Sequence, residues 1–293
     1  MYLIKTLPFG ETTLLQISNS TTGEYFSCLP AFGAALNQLQ LQGNDRINHR
    51  LLSENSSYDN LLSEGQAMYR GSKLFPFPNR IKKGKYTYNN TKYQLHINHQ
   101  SEGHAIHGLV YNDAFKVIEQ NTTPDCGFVV LEHIYNEKKG YPFHFKLQVR
   151  FELNENGFEC TTSVKNTAKY SLPMGDGWHP YFSTGRRVDG LNLHIPKVAK
   201  MRIGERHFDK CYTLPEEKNK SVVELVDDEH NIHLKMWMQG QDYKYLQIYT
   251  PADRQSIALE PMTCKPNVLN HKKDLIVLSP NEEKKLSWGL QLK

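Results

Sequence analysis

Three features of the chain predict an antiparallel all-β fold. Residues 143–153 (Phe-His-Phe-Lys-Leu-Gln-Val-Arg-Phe-Glu-Leu) are apolar at every odd position and polar at every even one, the mark of a strand with one buried face. Short β-branched and aromatic runs recur between Asn, Gly, Pro and Asp clusters, as hairpins require. No segment sustains helical periodicity beyond one or two turns. Since no repeat, linker or composition break interrupts the chain, residues 1–293 read as a single domain with several packed antiparallel strands per sheet.

Taken in order, Thr13–Ile17 and Tyr25–Leu29 read as short strands, and residues 31–41 as a further strand pair. Residues 43–70 are polar and rich in Asn and Ser, a surface connection with one helical turn around 58–62. Phe75-Pro76-Phe77-Pro78 cannot be a central strand, because two prolines remove donors at alternate positions; it reads as a rigid extended loop presenting Asn79 and Arg80. Tyr86–Tyr88, a turn at Asn89-Asn90, and Tyr93–Leu95 form a hairpin. The strand at 143–153 turns at 154–157 and returns from Phe158. Two more hairpins follow, 222–238 across 227–231 and 245–262 across 251–254, with Pro261 expected to end the pairing of the second. Leu275–Leu278 and Leu286–Leu292 close the fold.

Composition excludes several function classes. Lys plus Arg is 35 and Asp plus Glu 31, a net charge of +4 with no basic run or basic helix, which argues against nucleic acid as a partner. No stretch is long and apolar enough to span a membrane. Five cysteines are scattered without a CxxC pair, the pattern of reduced thiols rather than of a disulfide framework or zinc site. With no signal-like N-terminus, a cytoplasmic protein is expected.

The chemistry-bearing residues cluster in a few stretches. Leu172–Phe182 (LPMGDGWHPYF) sets His179 between aromatic residues, after two glycines and before Pro180, which biases it to extended backbone. A histidine so placed can exchange protons with a ligand; the bland alternative is a core histidine bonded to a carbonyl. Arg80 offers a planar fork of donors for hydroxyls or a carboxylate, against the alternative of a surface salt bridge. His104 and His107 lie in a glycine-flanked strand or loop, where residues three apart face opposite ways, so they are not read as a zinc pair; one lines a site and the other is structural. Glu260 shares its strand face with Ser256 and Ala258, small residues that leave room above a carboxylate; the alternative is an edge carboxylate in water.

Phe77-Pro78-Asn79-Arg80-Ile81, His107-Gly108, Gly177-Trp178-His179-Pro180-Tyr181-Phe182, Phe208-Asp209 and Ala258-Leu259-Glu260-Pro261 occur in an order and spacing that resembles the aldose 1-epimerase (galactose mutarotase) family. The resemblance implies a galactose-mutarotase-like β-supersandwich of packed antiparallel sheets, a sugar substrate bound on a concave face, and no metal or cofactor. It implies His179 as general acid and Glu260 as general base in anomer interconversion of free aldohexoses, with Arg80, His107 and Asp209 as sugar-binding residues; Asn79, next to Arg80, is expected to join them as a hydrogen-bonding partner for the sugar hydroxyls. His107-Gly108 is followed by Leu109-Val110-Tyr111-Asn112, without the Arg that the family's hexose-6-phosphate branch tends to carry there. Two rivals stand beside this reading. A non-catalytic carbohydrate-binding module on the same sandwich would have no use for both an acid and a base. A polysaccharide lyase would pair a Tyr or His base with Asn79-Arg80 against a uronate.

Overall fold

The computed structural model describes residues 1–215 and 219–293. Among these residues the expected all-β architecture holds, and the sheet ladders are antiparallel. Tyr2–Phe9, Thr12–Asn19, Tyr25–Leu29, Ala35–Gln42 and Asn48–Arg50 form a five-stranded meander in chain order. The largest sheet has nine strands, in the order Lys116–Thr122, Cys126–Tyr135, Phe145–Asn154, Gly157–Asn166, Glu283–Leu292, Ile232–Gln239, Lys220–Asp227, Asn192–Ile195 and Ala199–Arg202. A six-stranded sheet runs Asp209–Thr213, Tyr245–Tyr249, Ile257–Met262, Gly177–Trp178 and Lys73–Leu74, with Tyr181–Phe182 also paired to Ile257–Met262.

The alternating strand shows why the sheets stack. Phe145, Leu147, Val149, Phe151 and Leu153 are fully buried, while the intervening residues stay partly exposed on the opposite face. The buried face meets both other sheets. Phe26 of the meander packs edge-on against Phe151 and Phe158, at 5.9 and 5.3 Å between ring centres. Trp178 of the six-stranded sheet meets Phe151 at 5.5 Å and Trp288 at 6.2 Å. One continuous apolar cluster results.

The structure departs from the expected elements in four places. Residues 31–41 supply one strand, Ala35–Gln42, rather than a pair, since the chain turns through residues 30–34 first. The helical turn at 58–62 extends to Met68, starting where the Ser57 hydroxyl accepts the Asn60 N–H at 3.1 Å. Tyr58 and Leu61 cover Phe9, Leu14 and Leu29 on the meander's outer face, a tertiary reward that polar sequence alone does not announce. The strand carrying Glu260 continues through Pro261 to Met262, which pairs with Tyr245 and Gly177 without needing the proline's missing N–H. The irregular segment around Asp209 is a strand, Asp209–Thr213, paired to Tyr245–Tyr249. All five cysteines are free. No helix among the described residues is long and apolar enough to cross a membrane.

Candidate active site

Strand alternation places His179. Trp178, opposite Lys73 in the register, is fully buried in the core, so the next side chain projects the other way. The His179 main chain is fixed on both sides: its N–H donates to the Ser72 carbonyl at 3.1 Å and its carbonyl accepts the Gly71 N–H at 2.9 Å. Glu260 comes from the neighbouring strand, opposite Gln247. The two side chains meet with His179 Nε2 3.4 Å from Glu260 Oε1, and they are only 5% and 2% exposed. The His179 ring is stacked on Tyr181, at 4.8 Å and 16°.

His107 closes the group from a third direction. It sits in the left-handed region at φ 61°, followed by Gly108 at φ 80°, and its N–H donates to the Asn79 carbonyl at 2.8 Å. A Cβ at residue 108 would run into the Phe75 backbone, so only glycine lets this turn press against the proline loop. The His107 ring lies edge-on to His179 at 5.0 Å. His104 is held apart: its Nδ1 accepts the Lys83 N–H at 3.3 Å, the structural role left to one of the two histidines.

Asn79 is itself left-handed, and its Oδ1 accepts both the Arg80 N–H at 2.8 Å and Arg80 Nε at 3.2 Å. Those two hydrogen bonds aim the guanidinium, whose remaining nitrogens face Glu102 at 3.3 Å and Asp209 at 3.8 Å. Asp209 in turn accepts Gln247 Nε2 at 2.6 Å. All six residues singled out in the sequence (Asn79, Arg80, His107, His179, Asp209 and Glu260) thus line one cleft of about 250 Å³. Tyr69, His99, Glu102, Tyr181, Gln247 and Tyr249 line it as well. Of these, Gln247 carried a usable signal, since hairpin register sets it opposite Glu260. Tyr69 lies in the stretch read as surface connection; the helical segment ends there and delivers Ala67, Met68 and Tyr69 to the cleft wall.

Burial shifts the proton affinities of the pair in opposite directions. Burial pushes the His179 imidazolium down to about 3. Burial, reinforced by the Asp209 carboxylate, holds the Glu260 carboxyl well above the usual carboxylate range. Burial, with His179, His99 and Arg80 adding repulsion, keeps His107 neutral. These directions favour a neutral His179 beside a protonated Glu260. His179 Nδ1, His107 Nδ1 and Glu260 Oε2 are buried without a hydrogen-bond partner, an expensive arrangement unless a ligand supplies one. By ligand type His107, His179 and Glu260 suit a divalent ion, but their atoms spread over up to 4.8 Å. Two ligands on one zinc at its ordinary bond lengths are at most about 4.2 Å apart, so the cluster is wider than a closed zinc site.

A sequence model of the family described as aldose 1-epimerase matches residues 21–197. An uncharacterized protein of Escherichia coli, YihR, is 27% identical over 318 aligned residues, covering 99% of this chain and 98% of that protein. Among solved structures, a galactose mutarotase-like protein from Clostridium acetobutylicum superposes with a TM-score of 0.84 at 18% identity, covering 100% of this chain and 98% of that one. A galactose 1-epimerase from Lactobacillus acidophilus superposes with a TM-score of 0.75 at 16% identity, covering 100% and 98%. These likenesses establish the fold as the galactose-mutarotase-like β-supersandwich.

Proposed function

Since the chain belongs to the aldose 1-epimerase family, we propose that it interconverts the α and β anomers of free aldohexoses, with His179 as general acid and Glu260 as general base. The observation that carries this reading is the buried His179–Glu260 contact at 3.4 Å. The ring oxygen and the C1 hydroxyl of an aldose hang from the same carbon. An acid for one and a base for the other must therefore sit side by side, as these two groups do. On sugar binding the shared proton passes from Glu260 to His179. His179 then protonates the ring oxygen while Glu260 takes the C1 hydroxyl proton, and the ring opens to the aldehyde. Rotation about C1–C2 and reversal of both transfers closes the ring on the other face. Arg80, Asn79, His107 and Asp209 hold the remaining hydroxyls.

A free sugar is favoured over a phosphorylated one by the charge around Arg80. Its guanidinium is matched by Glu102 and Asp209, leaving little attraction for a phosphate. The test is polarimetry on freshly dissolved α-D-glucose and α-D-galactose, with the 6-phosphates in parallel and each run repeated in chelator. Faster equilibration of the free sugars, unchanged by chelator, is expected. Acceleration of the phosphates alone would move the assignment to a hexose-6-phosphate 1-epimerase, and acceleration of nothing to a sugar-binding module.

Arg80→Ala is expected to act on binding. The guanidinium stays charged and has no proton to transfer, so KM should rise at least as much as kcat falls. A drop in kcat at unchanged KM would place Arg80 in the chemical step instead.

A further inference from the structure

Beneath the cleft lies a charged group that the acid–base chemistry does not use. Lys73 and Asp176 are both wholly buried and form an ion pair. Lys73 Nζ also donates to Thr162 Oγ1 at 2.9 Å, across to the nine-stranded sheet, and lies 4.8 Å from the centre of the Trp178 ring. The Tyr243 hydroxyl donates to Asp176 Oδ2 at 2.7 Å. The Asp176 main chain is tied to Thr263 in both directions, its N–H donating to Thr263 Oγ1 and its carbonyl accepting the Thr263 N–H, each at 2.9 Å.

Burying such a pair is a poor way to gain stability, because well-packed apolar side chains of similar volume serve as well or better. What charged and hydrogen-bonded groups add is direction: they have one correct geometry, where apolar contacts tolerate sliding. The position is telling. Lys73 is opposite Trp178 in the register, and Gly177 is opposite Met262. Asp176 is three residues before His179, and Thr263 three residues after Glu260. Burial pushes the lysine down and the aspartic acid up, each opposed by its partner; with or without its proton transferred, the contact pair carries no net charge towards the cleft.

We propose that Lys73, Asp176 and Tyr243 form a positioning network that locks together the strands carrying His179 and Glu260 and so holds the acid and the base at working distance. The inference rests on the acid–base reading of that pair. Its effect belongs in kcat, because proton transfer in a ring-opening transition state depends on tenths of an ångström, and a misplacement of about 1 Å can cost roughly 10²-fold. Sugar binding, which draws on Arg80 and Asp209 at the cleft mouth, should change little.

The experiment compares three variants with wild type: the charge-free double substitution Lys73→Met with Asp176→Leu, the minimal Tyr243→Phe, and Glu260→Gln as reference. Circular dichroism and thermal melts establish folding, and kinetics are run well below the melting midpoint. The expected result is a kcat about 10–100-fold lower in the double variant and about 3–10-fold lower in Tyr243→Phe, with KM within about threefold of wild type. Folded variants with kcat within twofold of wild type, or a rise in KM in place of the fall in kcat, overturn the proposal. Should the double variant not fold, Tyr243→Phe decides alone, since it removes a single oxygen. A Glu260→Gln enzyme that stays active overturns the acid–base reading itself, a different outcome from an inactive Glu260→Gln beside fully active network variants.

Discussion

Glu260→Gln and His179→Asn are each expected to lower kcat by roughly 10²–10⁴-fold, the usual worth of a positioned acid or base. Glutamine keeps the size and hydrogen bonding of the glutamate but cannot take the C1 hydroxyl proton; asparagine keeps a donor that cannot be released. If both groups serve one transition state, the double variant is expected to lose much less than the product of the single losses. The pH profile of kcat/KM follows from burial. With His179 held down to about 3 and Glu260 well above 4.5, the pair holds one proton over the interval between those two values. The acidic limb, where a second proton arrives, lies well below the ordinary histidine value of 6.5. The alkaline limb, where the last proton leaves, lies above the ordinary carboxylate range, and both limbs belong to the pair rather than to either residue. Stability moves the other way. Above 4.5 the unfolded glutamate ionises freely while the folded one resists, so the wild type loses stability as pH rises towards the folded value. Glutamine has no such penalty, and near pH 7 Glu260→Gln should melt no lower than wild type. Steady-state kinetics, the pH profile and a thermal melt check all of this. A folded Glu260→Gln enzyme within a few fold of wild-type kcat would falsify the mechanism and favour the binding-module reading.

Gly71→Ala is expected to destabilise the protein by about 3 kcal/mol or more, combining left-handed strain with overpacking against backbone. Gly71 has φ 65°, and a Cβ there would run into the carbonyl oxygen of Leu36. The close approach has a purpose: the Gly71 carbonyl accepts the Leu36 N–H, and the Gly71 N–H donates to the His179 carbonyl, each at 2.9 Å. One residue thereby joins the N-terminal meander to the strand bearing His179. Ser53 N–H to the Tyr181 carbonyl and Ser183 N–H to the Leu51 carbonyl, at 2.8 and 3.0 Å, continue the seam. We read residues 1–293 as a single domain on this basis, and the melt tests that too. The Gly71→Ala midpoint should fall by roughly 5–10 °C in one cooperative transition. Two separated transitions would show that the meander folds as a unit of its own.

The hairpins were legible because a side-chain period of two and Asn, Gly or Pro turns are written locally. Tyr25–Leu29 matches the observed strand, and the Asn89-Asn90 turn has both residues at positive φ, as a tight hairpin needs. The misreadings share a cause. The helical turn around Tyr58 was legible, but beyond Leu62 and at Pro261 local preference pointed to loop or strand end. The packing of Leu61 under the meander and the pairing of Met262 with two neighbours decided otherwise. Nothing local signals such partners.

The same division runs through the site. The sequence by itself determined the all-β class, and proline, glycine and strand alternation singled out Arg80, His179 and Glu260 as side chains a short stretch can present; His107 over His104, and Asp209, were picked out by the family resemblance, with Asn79 beside Arg80 in the same loop. Tertiary structure alone decided that six residues from separate segments share one cleft, that His179 and Glu260 meet at 3.4 Å, and that Tyr69, Glu102 and Gln247 join them. It alone placed Lys73 against Asp176, about a hundred residues apart in the chain, in the dark beneath that cleft. A lysine and an aspartate in sequence read as solvated charges, as nearly all of them are. Burial is a property of what the rest of the chain packs around them, and burial is also what pushes the proton affinity of His179 down and that of Glu260 up.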